Sequence, residues 1–127
     1  MDNLTEAHID VDVTTNYISE QSSPSEDRFV FAYTITIRNT GNLAAKLLTR
    51  HWIICDANGK MQEVHGEGVV GEQPYLKPGD SFQYTSGTVI ETPVGSMEGT
   101  YQMVTDEGDA FNAIIPVFTL SYPNALH

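Results

Sequence analysis

The feature that most constrains the fold is a period of two in hydrophobicity, which is clearest between Phe29 and Asn39. Aromatic and β-branched side chains alternate there with small or polar ones, and one face carries Phe29, Phe31, Tyr33, Ile35 and Ile37. Such alternation is typical of a β-strand with one buried face. Since no long stretch shows the 3.6-residue period of an amphipathic helix, the sequence predicts a chain of strands with essentially no helix.

Turn-forming residues divide the rest of the chain into further short strands. The segment Asp56–Lys60 contains Asn-Gly, a strong hairpin signal, and Ser19–Asp27 is too polar to pack, which predicts a mobile surface loop. Pro116 cannot donate a ladder hydrogen bond, so it is placed at a sheet edge or a bulge. The other predicted strands cover residues 9–17, 47–56, 61–64, 99–104 and 111–120, and a further strand includes Phe82 and Tyr84.

This organisation predicts an all-β fold. Short strands separated by turns at intervals of about 8–12 residues indicate an antiparallel immunoglobulin-like or fibronectin type III-like β-sandwich of about seven or more strands. Cys55 is the only cysteine, so the disulfide-bonded immunoglobulin pattern is excluded and the fibronectin type III-like version remains. We expect a single domain over residues 1–127, with an N-terminal tail at 1–8 and an irregular C-terminal tail at 121–127.

The charge balance restricts the classes of partner. Six Lys+Arg residues against 17 Asp+Glu residues give a net charge of -11, which repels nucleic-acid phosphates and anionic membrane surfaces. Neither nucleic acid nor membrane is therefore expected as a partner, whereas basic proteins or cations are favoured. One cysteine, together with an N-terminus that lacks a signal-peptide pattern, leads us to expect a cytoplasmic protein.

The pattern Gly66-x-Gly68-x-x-Gly71 is the candidate ligand-binding motif. It matches a dinucleotide fingerprint in its letters, but that fingerprint requires a helix after the glycines, and Pro74 follows instead. Two interpretations stay open: the glycines provide positive φ angles in a connection, which is the preferred one, or their amides form an anion-binding nest. Glu67 and Glu72 would oppose a bare phosphate, so a divalent cation could accompany it; no other cofactor is expected.

Other polar residues suggest no catalytic or metal site. The histidines His8, His51, His65 and His127 lack the short spacing of a metal-binding pair and are interpreted as isolated polar residues, so no metal ligand is predicted. The acidic segment 106–109 is interpreted as a solvated turn, and Asp56–Gly59 as a turn rather than the start of a calcium loop. No nucleophile has an evident base partner, so no catalytic residue is predicted and the chain is expected not to be an enzyme.

Several long blocks, in order, resemble the ApaG family, also called CorD. They are Arg28–Asn39, Leu47–Trp52, Glu63–Pro74, Tyr84–Gly87 and Thr92–Gly99, and the likeness extends from about Ile9 to His127. The resemblance implies a fibronectin type III-like β-sandwich and a bacterial protein associated with cobalt resistance and magnesium efflux. It also implies a domain found in some eukaryotic F-box proteins and in a polymerase delta-interacting protein, where a protein-binding role is supposed. Within the family, the glycines corresponding to Gly66, Gly68 and Gly71 have been proposed to bind pyrophosphate or nucleotide, and no catalytic residues are established.

Three functional hypotheses follow, of which the third is a direct handler of cobalt or magnesium that binds the metal in acidic loops. The first is a non-enzymatic interaction module that binds a protein partner through an exposed sheet face, with Val30 or Trp52 as the expected apolar contact. A sheet edge could also pair with its copy to give a homodimer. The second hypothesis is a binder of phosphate, pyrophosphate or a metal–nucleotide complex, in which the glycine amides hold the phosphate and Lys46, Arg50 or His65 neutralise its charge.

Overall fold

Residues 6–123 are described by a computed structural model, and they form eight strands in two antiparallel sheets. The strands are β1 (Ile9–Tyr17), β2 (Phe29–Asn39), β3 (Ala45–Asp56), β4 (Met61–Glu67), β5 (Tyr75–Leu76), β6 (Ser81–Ile90), β7 (Val94–Thr105) and β8 (Ala110–Ser121). The first sheet has the order β1-β2-β6, and the second has the order β4-β3-β7-β8, with β5 also paired to β3. The predicted all-β sandwich of about seven or more strands is confirmed.

The core lies between the two sheets. The predicted inward face of β2 is confirmed, because Phe31, Ile35 and Ile37 are at most 1% exposed. From the second sheet, Leu47, Tyr101 and other apolar side chains pack against that face. Burial of such large apolar groups is the dominant favourable term in folding, so this interface holds the two sheets together.

β-Bulges shift the alternation in two places. The register between β3 and β7 slips between Leu47 and Thr49, so Leu47 and Trp52 are both buried although strict alternation would put them on opposite faces. In β8, Pro116 lies on an edge strand and at a register shift against β7, which confirms its predicted position.

The sandwich has a covered side and an open side. β1 and β8 lie beside each other on the covered side, where Tyr17 and Tyr122 make an edge-to-face contact with ring centroids 4.8 Å apart. On the open side, β4 is the edge strand of the second sheet, and apart from the half-buried Gly66 its residues are exposed. Its outer backbone edge and both of its faces are therefore accessible.

Several expectations need correction. Val30 and Trp52 are 7% and 2% exposed, so neither provides the outward apolar contact that the sequence suggested. Segment 19–27 contains two short 3₁₀ turns, and β5 and the early start of β7 at Val94 were not predicted. No helix in the described part has the length and apolarity needed to cross a membrane. Most of the predicted tails, 1–8 and 121–127, lies outside the described residues. Ser121 was assigned to the irregular C-terminal tail, but it still belongs to β8.

Candidate functional site

The glycine segment lies where β3 changes its pairing partner. β4 pairs with residues 49–55 of β3, whereas β5 pairs with residues 45–46. Since β7 occupies the other edge of β3, the segment 68–74 is an excursion between two strands that share one edge. The bulge at Leu48 anchors it: the Leu48 carbonyl accepts hydrogen bonds from the Gly68 amide (2.8 Å) and from the Gln73 side chain (2.9 Å).

Within this excursion, residues 69–72 form a tight hairpin turn. Val69 and Glu72 exchange backbone hydrogen bonds of 2.8 and 3.0 Å, and the two residues between them, Val70 and Gly71, have φ angles of 44° and 83°. Positive φ at both central positions is the pattern of a type I′ turn. Gly71 adopts it without steric cost, whereas a β-branched residue such as Val70 rarely does. The fully buried Val69 side chain fixes the turn to the core.

Close approach explains the other two glycines. A Cβ atom at Gly66 would lie 2.6 Å from the guanidinium carbon of Arg50, so the missing side chain gives the guanidinium its place. A Cβ atom at Gly68 would overlap the carbonyl oxygen of Glu72, and Gly68 also has a φ angle of 62°. Arg50 Nη1 donates hydrogen bonds to the carbonyl oxygens of Glu67 (3.0 Å) and Gly68 (2.9 Å), which ties the turn to β3.

The polar groups of the turn are largely used within the fold. The amides of Gly68, Val69 and Glu72 all donate to backbone carbonyls. A cleft of ≈ 300 Å³ remains, lined by Glu67, Gly68, Gly71, Glu72 and Gln73. Two exposed carboxylates at its border make the cleft electronegative, so a phosphate would be accompanied most favourably by a cation.

Behind Arg50, two tyrosines share a hydrogen bond in the core. The hydroxyl groups of Tyr84 and Tyr101 lie 2.6 Å apart, and both side chains are buried. Burial raises the pKa of Tyr84 to about 12, an increase that the hydrogen bond with Tyr101 partly opposes. Burial also raises the pKa of Tyr101, followed in size by the unfavourable charge interaction with Tyr84. Both hydroxyls are therefore neutral at physiological pH and contribute to structure.

The outer face of the second sheet carries a shallow groove of ≈ 460 Å³. It crosses β3, β7 and β8 and is lined by His51, Ile53, Glu98, Gly99, Thr100, Ile114, Ile115, Pro116 and Val117. Ile114 and Val117 are 64% and 63% exposed, respectively. This outer groove, rather than Val30 or Trp52, provides an apolar surface that is exposed.

Three polar side chains meet beside the groove, on β3 and β4. His51 lies directly opposite His65 in the strand pairing, and their rings stack with centroids 4.1 Å apart and planes 9° apart. Glu63 Oε2 lies 2.8 Å from His51 Nε2 and 3.9 Å from His65 Nε2. We call this group the His51–Glu63–His65 cluster.

The interpretation of His51 and His65 as isolated residues was wrong. Spacing along the chain does not show that they meet, because the contact is made across two strands. The predicted Asp56–Lys60 hairpin did contain the signal: pairing that is symmetric about Asn58 puts His51 opposite His65 and Ile53 opposite Glu63. The spacing of the histidines along the chain does not include this pairing, and for that reason it predicted no metal ligand.

The remaining candidates form turns and surface pairs. Asp56 Oδ1 accepts hydrogen bonds from the backbone amides of Asn58 and Lys60, both at 2.9 Å, so it stabilises the hairpin turn. Asp106 accepts a 2.8 Å hydrogen bond from the Tyr75 hydroxyl, and this contact raises the pKa of Tyr75. His8 pairs with Asp10 at 3.4 Å on the exposed surface of the first sheet.

Comparison with known proteins gives consistent matches over most of the chain. The family model described as the ApaG domain matches residues 19–105. Proteins named ApaG from Nitrosospira multiformis and Thiobacillus denitrificans are 60% and 58% identical over 119 residues, which is 94% of this chain and 94% of each relative. A crystal structure of an ApaA protein from Bordetella pertussis superposes with a TM-score of 0.92 at 47% identity, covering 95% of this chain and 98% of that one. A second X-ray structure has a TM-score of 0.88 at 59% identity, with coverage of 94% and 90%.

Proposed function

The chain belongs to the ApaG domain family, and we propose that it is a non-enzymatic binding module that holds a basic segment of a partner protein in the outer groove. The observation that carries this proposal is the exposure of Ile114 and Val117 on the outer face of the second sheet. Contiguous exposed apolar surface that is bordered by polar groups is characteristic of protein interaction sites.

The charge around the groove defines the chemistry of the partner. Glu98 lines the groove, Glu63 lies near it on β4, and the chain as a whole has a net charge of -11. Complementary potentials accelerate association and disfavour partners of the wrong sign. A segment that places one large apolar side chain between Ile114 and Ile53, flanked by Lys or Arg, would satisfy both the apolar and the acidic parts of the surface.

A peptide titration tests the proposal. Isotope-labelled protein is titrated with a synthetic peptide that carries a central Leu or Trp flanked by Lys and Arg, and with the same peptide flanked by Glu. We expect amide shifts at Ile53, Thr100 and Ile114 with the basic peptide alone. Ile114→Asp should abolish them, whereas Val89→Asp, at a partly exposed apolar residue of the first sheet, should not. Shifts that are scattered over both sheets, or that are unchanged by Ile114→Asp, would reject the groove as the binding surface.

A second copy of the chain is the competing occupant of the open side. Because β4 is an exposed edge strand, it could pair with its equivalent in another molecule. Sedimentation over a wide concentration range distinguishes the two occupants. The amide of Glu63 faces the open edge of β4, so a dimer that disappears in Glu63→Pro would assign that edge to self-association instead.

The alternative function is binding of phosphate, pyrophosphate or a metal–nucleotide complex at the glycine turn. The cleft beside Gly68 and Gly71 and the Arg50 guanidinium at the base of the turn favour it. The test is a titration with pyrophosphate and ATP, with and without Mg²⁺, while the amide resonances of Gly66, Gly68 and Gly71 are observed. Shifts at these three amides that require Mg²⁺ would support the alternative, and unshifted amides at millimolar ligand would exclude it.

A further inference from the structure

We propose that the His51–Glu63–His65 cluster binds a divalent ion of the first transition series, such as Zn²⁺. The cluster offers two imidazole nitrogens and one carboxylate oxygen, and these three donor atoms lie within 4.8 Å of one another. This inference depends only on the contacts of three side chains across β3 and β4. It is independent of the functions proposed for the outer groove and the glycine turn.

The strand pairing positions the ligands. His51 and His65 are directly opposite residues, and Glu63 is two residues before His65, so all three side chains emerge from one face of the ribbon. Both Nε2 atoms approach the same carboxylate oxygen, at 2.8 and 3.9 Å. A single ion between the three atoms needs only side-chain adjustments, because the backbone already brings them together.

The donor set selects the type of metal. Imidazole suits Zn²⁺, Ni²⁺ and Cu²⁺, whereas Mg²⁺ and Ca²⁺ prefer oxygen ligands. Three protein ligands leave a tetrahedral ion with one open position for water or for another ligand. The site is open to solvent: the side chains of His51, Glu63 and His65 are 26%, 57% and 70% exposed. An ion can therefore enter without any rearrangement of the fold.

The alternative explanation is a surface hydrogen bond between His51 and Glu63 with His65 stacked on it. The two explanations differ in what Zn²⁺ does to the individual side chains. A metal site requires both imidazoles and the carboxylate, and its affinity for Zn²⁺ exceeds its affinity for Mg²⁺ by a wide margin. A hydrogen-bonded pair leaves the ring resonances of His51 and His65 unaffected by Zn²⁺.

The experiment is a calorimetric titration of the full chain, without an affinity tag, with ZnCl₂ and separately with MgCl₂, accompanied by NMR of the histidine ring protons. We expect one Zn²⁺ per chain, ring shifts confined to His51 and His65, and no heat with Mg²⁺ at the same concentration. His51→Gln and His65→Gln should each weaken Zn²⁺ binding at least about tenfold, since even the loss of a residue that merely orients a ligand has an effect of that size. Glu63→Gln should weaken it as well.

Two matched controls make the result decisive. His8→Gln removes another exposed histidine that lies beside a carboxylate, and Cys55→Ser removes the thiol; both variants should bind Zn²⁺ as the unmodified chain does. Circular dichroism establishes that each variant is folded. Zn²⁺ binding that persists in His51→Gln and His65→Gln, that is lost in a control, or that is absent from the unmodified chain would overturn the proposal.

Discussion

The two sides of the β3–β4 ribbon use their polar groups differently. On the inner side, Arg50 lies against Gly66 and donates to the carbonyl groups of Glu67 and Gly68, while the neighbouring Trp52 packs in the core. On the outer side, His51 and His65 stack in partial contact with solvent and share one carboxylate. The inner groups are hydrogen-bonded within the fold, whereas the outer imidazoles and carboxylate can still coordinate a ligand from solution.

This difference shows why a conspicuous motif can be misleading. The glycines attract attention in the sequence because a regular spacing of Gly is unusual, yet each has a backbone reason: close approach at Gly66 and Gly68, and a type I′ turn at Gly71. The two histidines do not stand out in the sequence, because the contact between them depends on strand pairing. Substitutions on the inner side should therefore affect stability, and substitutions on the outer side should affect binding.

The largest effect is expected for Gly68→Ala. The added methyl group would overlap the Glu72 carbonyl and would hold a left-handed conformation, so the free energy of unfolding should fall by about 3 kcal/mol. Gly71→Ala is the control within the same motif: its φ angle is also positive, but the surrounding space is open, so only the conformational cost of about 1 kcal/mol applies. Urea unfolding measures both, and equal losses would contradict the steric explanation.

A smaller loss is expected for Arg50→Met, which keeps the alkyl chain and removes the guanidinium. Two hydrogen bonds from a charged donor to the Glu67 and Gly68 carbonyls disappear, which should lower the free energy of unfolding by about 2 kcal/mol. Hydrogen exchange at the amides of residues 68–72 should accelerate because the turn loses its tie to β3. If exchange accelerates uniformly over both sheets instead, Arg50 does not act through the turn.

The tyrosine pair behind Arg50 predicts a loss of stability in alkali. The pKa of Tyr84 is about 12 in the folded chain, against an ordinary value of 10.0, so its contribution is complete below pH 10 and is lost as the pH rises toward 12. By linkage, Tyr84 alone should lower the free energy of unfolding by about 1 kcal/mol between pH 9 and pH 11, and Tyr101, whose pKa burial also raises, should lower it further. In the double variant Tyr84→Phe/Tyr101→Phe the decrease should be clearly smaller, because only groups outside the pair, such as Tyr75, still contribute. The same slope in both proteins would assign the alkaline loss to other groups.

The fold was predictable because alternation and turns are local signals. The buried face of β2 follows from alternation between adjacent residues, and the Asp56–Lys60 hairpin follows from its Asn-Gly pair. The bulge at Leu48 was not predictable, since it depends on how β3 fits against β7, and it moved Leu47 to the inner face. The His51–His65 contact lies between these cases: it followed from the predicted hairpin, provided that its register was extended away from the turn.

The smallest effect on stability is expected for His65→Gln. The side chain is 70% exposed and its carboxylate partner is 3.9 Å away, so the free energy of unfolding should change by less than about 0.5 kcal/mol. The same substitution should weaken Zn²⁺ binding at least about tenfold, as the proposed role of His65 as a ligand requires. Thermal unfolding with and without ZnCl₂ measures both properties, because an ion that binds the folded state raises the unfolding temperature. If His65→Gln destabilised the metal-free chain as much as Arg50→Met does, the outer side of the ribbon would be as much a part of the folded framework as the inner side.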